Sequence, residues 1–199
     1  MRGLLLIDIQ NDFLPGGALA VPRGDEVIEV AQRLVERGGY AAIVATQDRH
    51  PAAHGSFASR HGAAPYSAGE LGGLPQTLWP DHCVEGTPGA ELAAGLDRAR
   101  IVAIVPKGTN PDIDSYSGFF DNARRKQTDL EATLRALGVT ALDVVGLATD
   151  YCVKATVLDA LELGFSVRVI RDGIRAVDLA PGDGERAIEA MRAAGAELA

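Results

Sequence analysis

The sequence predicts a three-layer α/β/α domain built on a central, mostly parallel sheet. Three observations predict it. Short runs rich in Val, Ile and Leu, the pattern of strands buried on both faces of a parallel sheet, recur along the chain. Segments of helical period separate them, which gives the crossover connections that parallel strands need. The chemically competent residues then fall just past the ends of the apolar runs, where open α/β sheets gather their ligands.

Taken in order, Gly3–Asp8 is an apolar strand that stops at a carboxylate, and a loop of turn formers follows to Gly17. Gly24-Asp25 opens a helix whose apolar face is Val27, Ala31, Leu34 and Val35, closed by Gly38-Gly39. Ala41–Ala45 is the second strand and runs into Asp48-Arg-His50-Pro51. From Pro51 to about Gly86 no period is sustained. A loop that long with His61, Tyr66, Trp79 and His82 in it reads as ordered and functional. Thr87-Pro88 can start a short helix through Leu92 and Leu96.

Ile101–Val105 is the third strand, ending at Pro106-Lys107, and Gly108 to Asn122 is irregular. Thr128-x-x-Glu131 is a capping box for a helix carrying Leu130, Leu134 and Leu137. Leu142–Leu147 is a fourth strand. It leads into a helix with Val153, Val157, Ala160 and Leu161 on one face, Thr149 or Asp150 as N-cap and Gly164 at its end. Ser166–Ile170 is the fifth strand, and a helix spans about Asp183–Ala194; the last residues carry no signal.

The chain has 199 residues, enough for one good core without requiring two, and the whole of 1–199 reads as one domain with a loop insertion around 47–90. A formal charge of −8 leaves no basic stripe, which argues against nucleic acid or an anionic membrane as partner. No run is long enough to span a membrane, no signal-peptide pattern opens the chain, and two distant cysteines make no disulfide scaffold. A reducing cytoplasm is the expected compartment.

Strand one ends in Asp8, strand two leads to Asp48 and His50, strand three to Lys107 and strand four to Cys152. The helix start at Cys152 favours thiolate over thiol and offers N–H groups to an oxyanion. Singly, Cys152 reads as packing and Asp8 and Lys107 as a surface ion pair; jointly they read as nucleophile, base and charge partner. Asp48-x-His50 in an extended segment puts both side chains on one face, and with His82 they form an N/O ligand set suited to zinc, iron or manganese. Ser56 and His54 are candidates for a further ligand or supporting contact, His54 being read, like His61, as a solvated loop residue. Cys83 reads as packing.

With these residues assembled, six segments carry a family resemblance: Leu6–Phe13, Thr46–Pro51, Leu78–Val84, Lys107-Gly108, Asp114–Phe120 and Gly146–Val153. The combination of Trp79-Pro-Asp-His-Cys83 with Ala148-Thr-Asp-Tyr-Cys-Val153 is specific. The chain resembles the nicotinamidase/pyrazinamidase group of the isochorismatase-like cysteine hydrolases over essentially its whole length. The resemblance implies that hydrolase fold, with Cys152 as nucleophile, Asp8 as general base and Lys107 as third triad member. It implies one divalent metal ion, zinc ahead of iron or manganese, on Asp48, His50 and His82, with Ser56 where a further ligand or water contact varies. It also implies a cis peptide at Leu147–Ala148, an oxyanion hole from the N–H groups of Ala148 and Cys152, and an aromatic wall of Phe13, Trp79 and Tyr116.

The reaction so implied is hydrolysis of nicotinamide, and of related amides such as pyrazinamide, to the acid and ammonia through a cysteine thioester, in NAD salvage. Core packing is the competing reading for each of the three aromatics. Isochorismatase chemistry is the competing enzyme reading, opposed by the metal set, and an idle binding module is the competing non-enzyme reading, opposed by the intact triad. A homo-oligomer is compatible with the sequence.

Overall fold

A computed structural model describes residues 1–199. Its sheet has six strands in the order β5-β2-β1-β6-β7-β8, every neighbouring pair parallel. The strands are β1 (Arg2–Ile7), β2 (Ile43–Asp48), β5 (Ala103–Lys107), β6 (Ala141–Leu147), β7 (Ser166–Arg175) and β8 (Glu197–Leu198). A small antiparallel hairpin, β3 (Ala68–Leu71) with β4 (Leu74–Thr77), stands apart. The helices are α1 (Glu26–Arg37), α2 (Leu130–Ala136), α3 (Lys154–Glu162) and α4 (Asp183–Ala193).

Period-2 alternation sends the strand side chains into two cores. Leu4, Leu6, Ile43, Ala45, Val145 and Leu147 face Val27, Ala31, Leu34 and Val35 of α1. Leu5, Ile7, Val44, Val105, Val144 and Val169 face Leu130 and Leu134 of α2, Val157 and Ala160 of α3 and Met191 of α4. This is the three-layer arrangement. The chain winds outward from β1 through β2 to one edge and from β6 through β7 to the other. The carboxyl ends of β1 and β6 therefore diverge at a switch point, the crevice such sheets use for ligands. The close pairing of these two strands depends on Gly146, at φ +140°, where a Cβ would overlap the carbonyl oxygen of Ile7.

Several local expectations are corrected. The Pro51–Gly86 segment contains the β3–β4 hairpin, turned at Gly72-Gly73, both at positive φ. The helix expected from Pro88 is only a 3-10 turn, Pro88–Ala90, because tertiary partners take the backbone groups that a helix would use. Asn11 Nδ2 donates to Pro88 O, the Asn11 N–H donates to Glu91 O, and the Ala93 N–H donates to Ile9 O. The Thr128 capping box does not form. Thr128 Oγ donates to Gly118 O while Glu131 bonds Arg135 and Gln127. Neither Thr149 nor Asp150 caps by its side chain. A π-helical turn, Thr149–Val153, precedes α3, and Asp150 accepts instead from the N–H groups of Val177 and Asp178. The final residues form β8, paired with β7.

One buried charge anchors the sheet away from the crevice. Asp143 on β6 accepts from Arg2, Arg168 and Tyr40 at 2.6–3.0 Å. Burial raises its pKa, but the bonds from Arg168, Tyr40 and Arg2 outweigh this and hold it below the ordinary carboxylate value. A depressed folded pKa means the contribution to stability is present above about pH 4 and is lost as pH falls through the folded value. Asp143→Ala should cost about 2 kcal/mol, less than for a fully buried pair because both arginines can turn to solvent, and lower Tm by roughly 4–8 °C. Thermal unfolding at pH 7 and pH 3 checks it: the gap between the two proteins should be wide at pH 7 and narrow at pH 3.

Candidate active site

The chain leaves β1 at Asp8 in the left-handed region, φ +48°, an uncommon conformation for a residue other than glycine. The turn delivers its carboxylate to the ends of β2 and β5. There Lys107 Nζ lies 3.0 Å from Asp8 Oδ2, 2.5 Å from Asp48 Oδ1, 2.8 Å from the Ser115 carbonyl and 3.4 Å from Cys152 Sγ. The Lys107 side chain is fully buried, a position tolerable for an ammonium only because two carboxylates and a carbonyl surround it. Asp8, Asp48 and Cys152 each bring an oxygen or sulfur within 4.8 Å of the others.

Burial pushes the Cys152 thiol well above its ordinary pKa; Lys107 opposes this, and Asp8 and Asp48 add to it. Burial thus acts on the sulfur against the helix start and against Lys107, and a carboxyl stands beside it. Burial also raises Asp8, against the pull of Lys107. Lys107 is held well above its usual value despite its own burial, chiefly by Asp48 and Asp8. A carboxyl poised upward beside a protonated thiol is suited to accept a proton and return it.

The ligand atoms of Asp48, His50 and His82 also lie within 4.8 Å of one another. His50 Nδ1 is 2.8 Å from Gly108 O and His82 Nδ1 is 2.8 Å from Pro80 O, so each ring is fixed through one nitrogen with Nε2 left to face the cluster. Gly108, at φ +66°, admits this packing, since a Cβ there would lie 2.5 Å from His50 Cε1. Burial lowers the pKa of both imidazoles, His82 to about 4, which keeps them neutral and able to ligate at pH 7. His54 is not solvated, as the sequence had suggested, but fully buried, its ring centroid 4.2 Å from that of His50. Its Nδ1 is 2.7 Å from Ser56 Oγ and its Nε2 makes no hydrogen bond. Ser56 thus meets His54, and it is the His54 ring that stands beside the cluster. Two neutral imidazoles and a carboxylate, with an unpartnered buried nitrogen next to them, fit a divalent ion.

A cleft opens onto Cys152 and Ala148 between Phe13, Trp79, Tyr116 and Tyr151, with Asp48, His82 and Asp114 at its polar end. Trp79, Tyr116 and Tyr151 meet nearly edge to face, with centroids 4.8–6.5 Å apart. The Leu147–Ala148 peptide is cis. Leu19, Val177, Tyr151 and Asp114 also line the cleft and were not singled out from the sequence. Tyr151 could have been, as the neighbour of Cys152. Val177 could not, because it reaches the cleft from a loop beyond β7.

With this geometry in hand, comparison with known proteins decides the family. The isochorismatase domain family matches residues 2–199. The chain belongs to the isochorismatase family. Within it, the chain is 56% identical over 201 residues to the nicotinamidase of Escherichia coli, covering 99% of this chain and 93% of that one. A solved Acinetobacter baumanii nicotinamidase/pyrazinamidase superposes with a TM-score of 0.93 at 39% identity, covering 99% and 94% of the two chains. The pyrazinamidase of Pyrococcus horikoshii, solved in complex with zinc, superposes at 0.80 with 41% identity and covers 100% and 98%. This isochorismatase-family chain therefore shares its α/β fold and most of its length with nicotinamide- and pyrazinamide-named relatives.

Proposed function

We propose that this isochorismatase-family protein is an amidohydrolase that converts nicotinamide to nicotinate and ammonia, and pyrazinamide likewise, with Asp8, Lys107 and Cys152 as its catalytic residues. The observation that carries the reading is the approach of Lys107 Nζ to Asp8, Asp48 and Cys152 at one end of an aromatic cleft. Relatives named nicotinamidase along the whole chain support it.

The ring stacks between Phe13, Trp79 and Tyr116, with its carboxamide over Cys152. Asp8 takes the Sγ proton as the sulfur bonds to the carbonyl carbon, and the N–H groups of Ala148 and Cys152 receive the oxyanion. Asp8 then gives that proton to the amide nitrogen as the C–N bond breaks, and ammonia leaves. Asp8 next takes a proton from water, whose oxygen bonds to the thioester carbon; the C–S bond breaks, that proton returns to Sγ, and nicotinic acid leaves and gives its own proton to solvent as nicotinate. Lys107 stays charged throughout and holds the negative charge that passes between Asp8 and the sulfur. Asp48, His50 and His82 would hold the metal ion, zinc ahead of iron or manganese, and the chemistry it would supply there is Lewis-acid attraction for the ring nitrogen.

Purified protein should release ammonia from nicotinamide. Chelation should remove at least about 90% of that activity, and one equivalent of zinc, iron or manganese should restore it, consistent with a site whose affinity depends on three neutral or anionic ligands. Undiminished turnover in metal-free protein would remove the ion from the reading, and no ammonia from nicotinamide would remove the reading itself.

A further inference from the structure

The two oxygens of Asp8 have different surroundings. Oδ1 accepts a 2.6 Å hydrogen bond from the hydroxyl of Thr46 on β2, and the same hydroxyl oxygen accepts the backbone N–H of Asp8 at 3.2 Å. Both residues are fully buried. Oδ2 makes no hydrogen bond; it lies 3.0 Å from Lys107 Nζ, which is itself 3.4 Å from Cys152 Sγ. A threonine hydroxyl has a single hydrogen to give. With that hydrogen on Oδ1 and its oxygen already holding the Asp8 N–H, Thr46 keeps Oδ1 an acceptor. A proton placed on Oδ1 would leave the hydrogen of the buried hydroxyl without its acceptor, which is costly away from water.

We propose that Thr46 is a positioning residue for the hydrolysis: it reserves Oδ2 of Asp8, the oxygen on the Lys107 and Cys152 side, as the one that carries the transferred proton. The inference rests on the amidohydrolase reading. In that reaction the proton leaves Sγ for Oδ2 as the S–C bond forms and leaves Oδ2 for nitrogen as the C–N bond breaks. In the second half it leaves water for Oδ2 and returns to Sγ. Every transfer uses the same oxygen, so a carboxyl free to rotate, or to hold the proton on Oδ1, is out of place at each step. In the sequence Thr46 only opens the Thr46–Pro51 segment of family resemblance, with no role attached to it. Its role appears only when β1 and β2 are paired.

The test compares Thr46→Val, which keeps the shape and removes the hydroxyl, with Thr46→Ser, which keeps the hydroxyl. Thr46→Val should lose about 10- to 100-fold in kcat on nicotinamide, a part of what a positioned acid–base group supplies. Its KM and metal content should stay within about two-fold, and Thr46→Ser should stay within about three-fold of wild type in kcat. A second readout separates positioning from general damage. Methyl nicotinate expels methoxide, which needs a proton far less than an amide nitrogen does, so kcat/KM for the ester should fall at least about five-fold less than for the amide. Wild-type kcat in Thr46→Val, equal losses on amide and ester, or a serine variant as poor as the valine one would overturn the inference. Wild-type protein that leaves nicotinamide untouched would instead overturn the reading beneath it.

Discussion

Cys152→Ala should abolish nicotinamide hydrolysis, by about 10⁴-fold or more, while the protein stays folded and keeps its metal stoichiometry. The size of the loss follows from what the residue does in the account: without Sγ there is no acyl acceptor, and Asp8, Lys107 and the oxyanion donors are left without a nucleophile to serve. The stability cost is small because alanine removes only a sulfur from a nearly buried site, about 1 kcal/mol. It also relieves the burial of a thiol between two carboxylates. Ammonia release, unfolding temperature and metal content measured on the same sample check all three. Serine is the less informative substitution, because its hydroxyl can still share a proton with Asp8.

Lys107→Met should cost both activity and stability. The ammonium is fully buried and within 3.0 Å of both Asp8 and Asp48. Removing it leaves two carboxylates close together without a counter-charge, and one must take up a proton. Breaking a buried ion pair from one side typically costs 3–5 kcal/mol, which for a chain of this length lowers Tm by roughly 6–20 °C. Turnover should drop at least about 10³-fold, since an Asp8 that is already protonated cannot accept the Sγ proton. Added zinc should recover part of the lost stability by neutralising Asp48, and none of the turnover. Calorimetry with and without zinc, beside an ammonia assay, checks the pattern. A variant as stable as wild type would mean that Lys107 does not hold the two carboxylates together.

These two residues also show what was legible in the sequence. Asp8, Lys107 and Cys152 stand just past apolar runs, and a parallel sheet brings such positions to one edge, so their meeting follows from topology. Asp48, His50 and His82 were legible as ligand types. The state of the sulfur was not. A helix start argues for a thiolate, whereas burial, with Asp8 and Asp48, pushes the thiol up against the pull of Lys107, and burial is a property of the folded chain. His54 was misplaced for the same reason. Its small neighbours in sequence, Pro51-Ala-Ala and Gly55-Ser56, give no sign that the loop folds inward over the His50 ring. The β3–β4 hairpin had a signal in Gly72-Gly73, but its four-residue strands are too short for a period to show. Thr46 lies in the Thr46–Pro51 segment of resemblance, but its bond to Asp8 is not legible there, because it spans 38 residues.

If the sulfur of Cys152 carries the acyl group, rapid-quench mass spectrometry of wild-type protein mixed with nicotinamide should catch it there. The expected result is a nicotinoyl group on the peptide containing Cys152, interception of that group by hydroxylamine as the hydroxamate, and the loss of both in Cys152→Ala. Ammonia released at the wild-type rate by Cys152→Ala, with no hydroxamate formed by either protein, would contradict it.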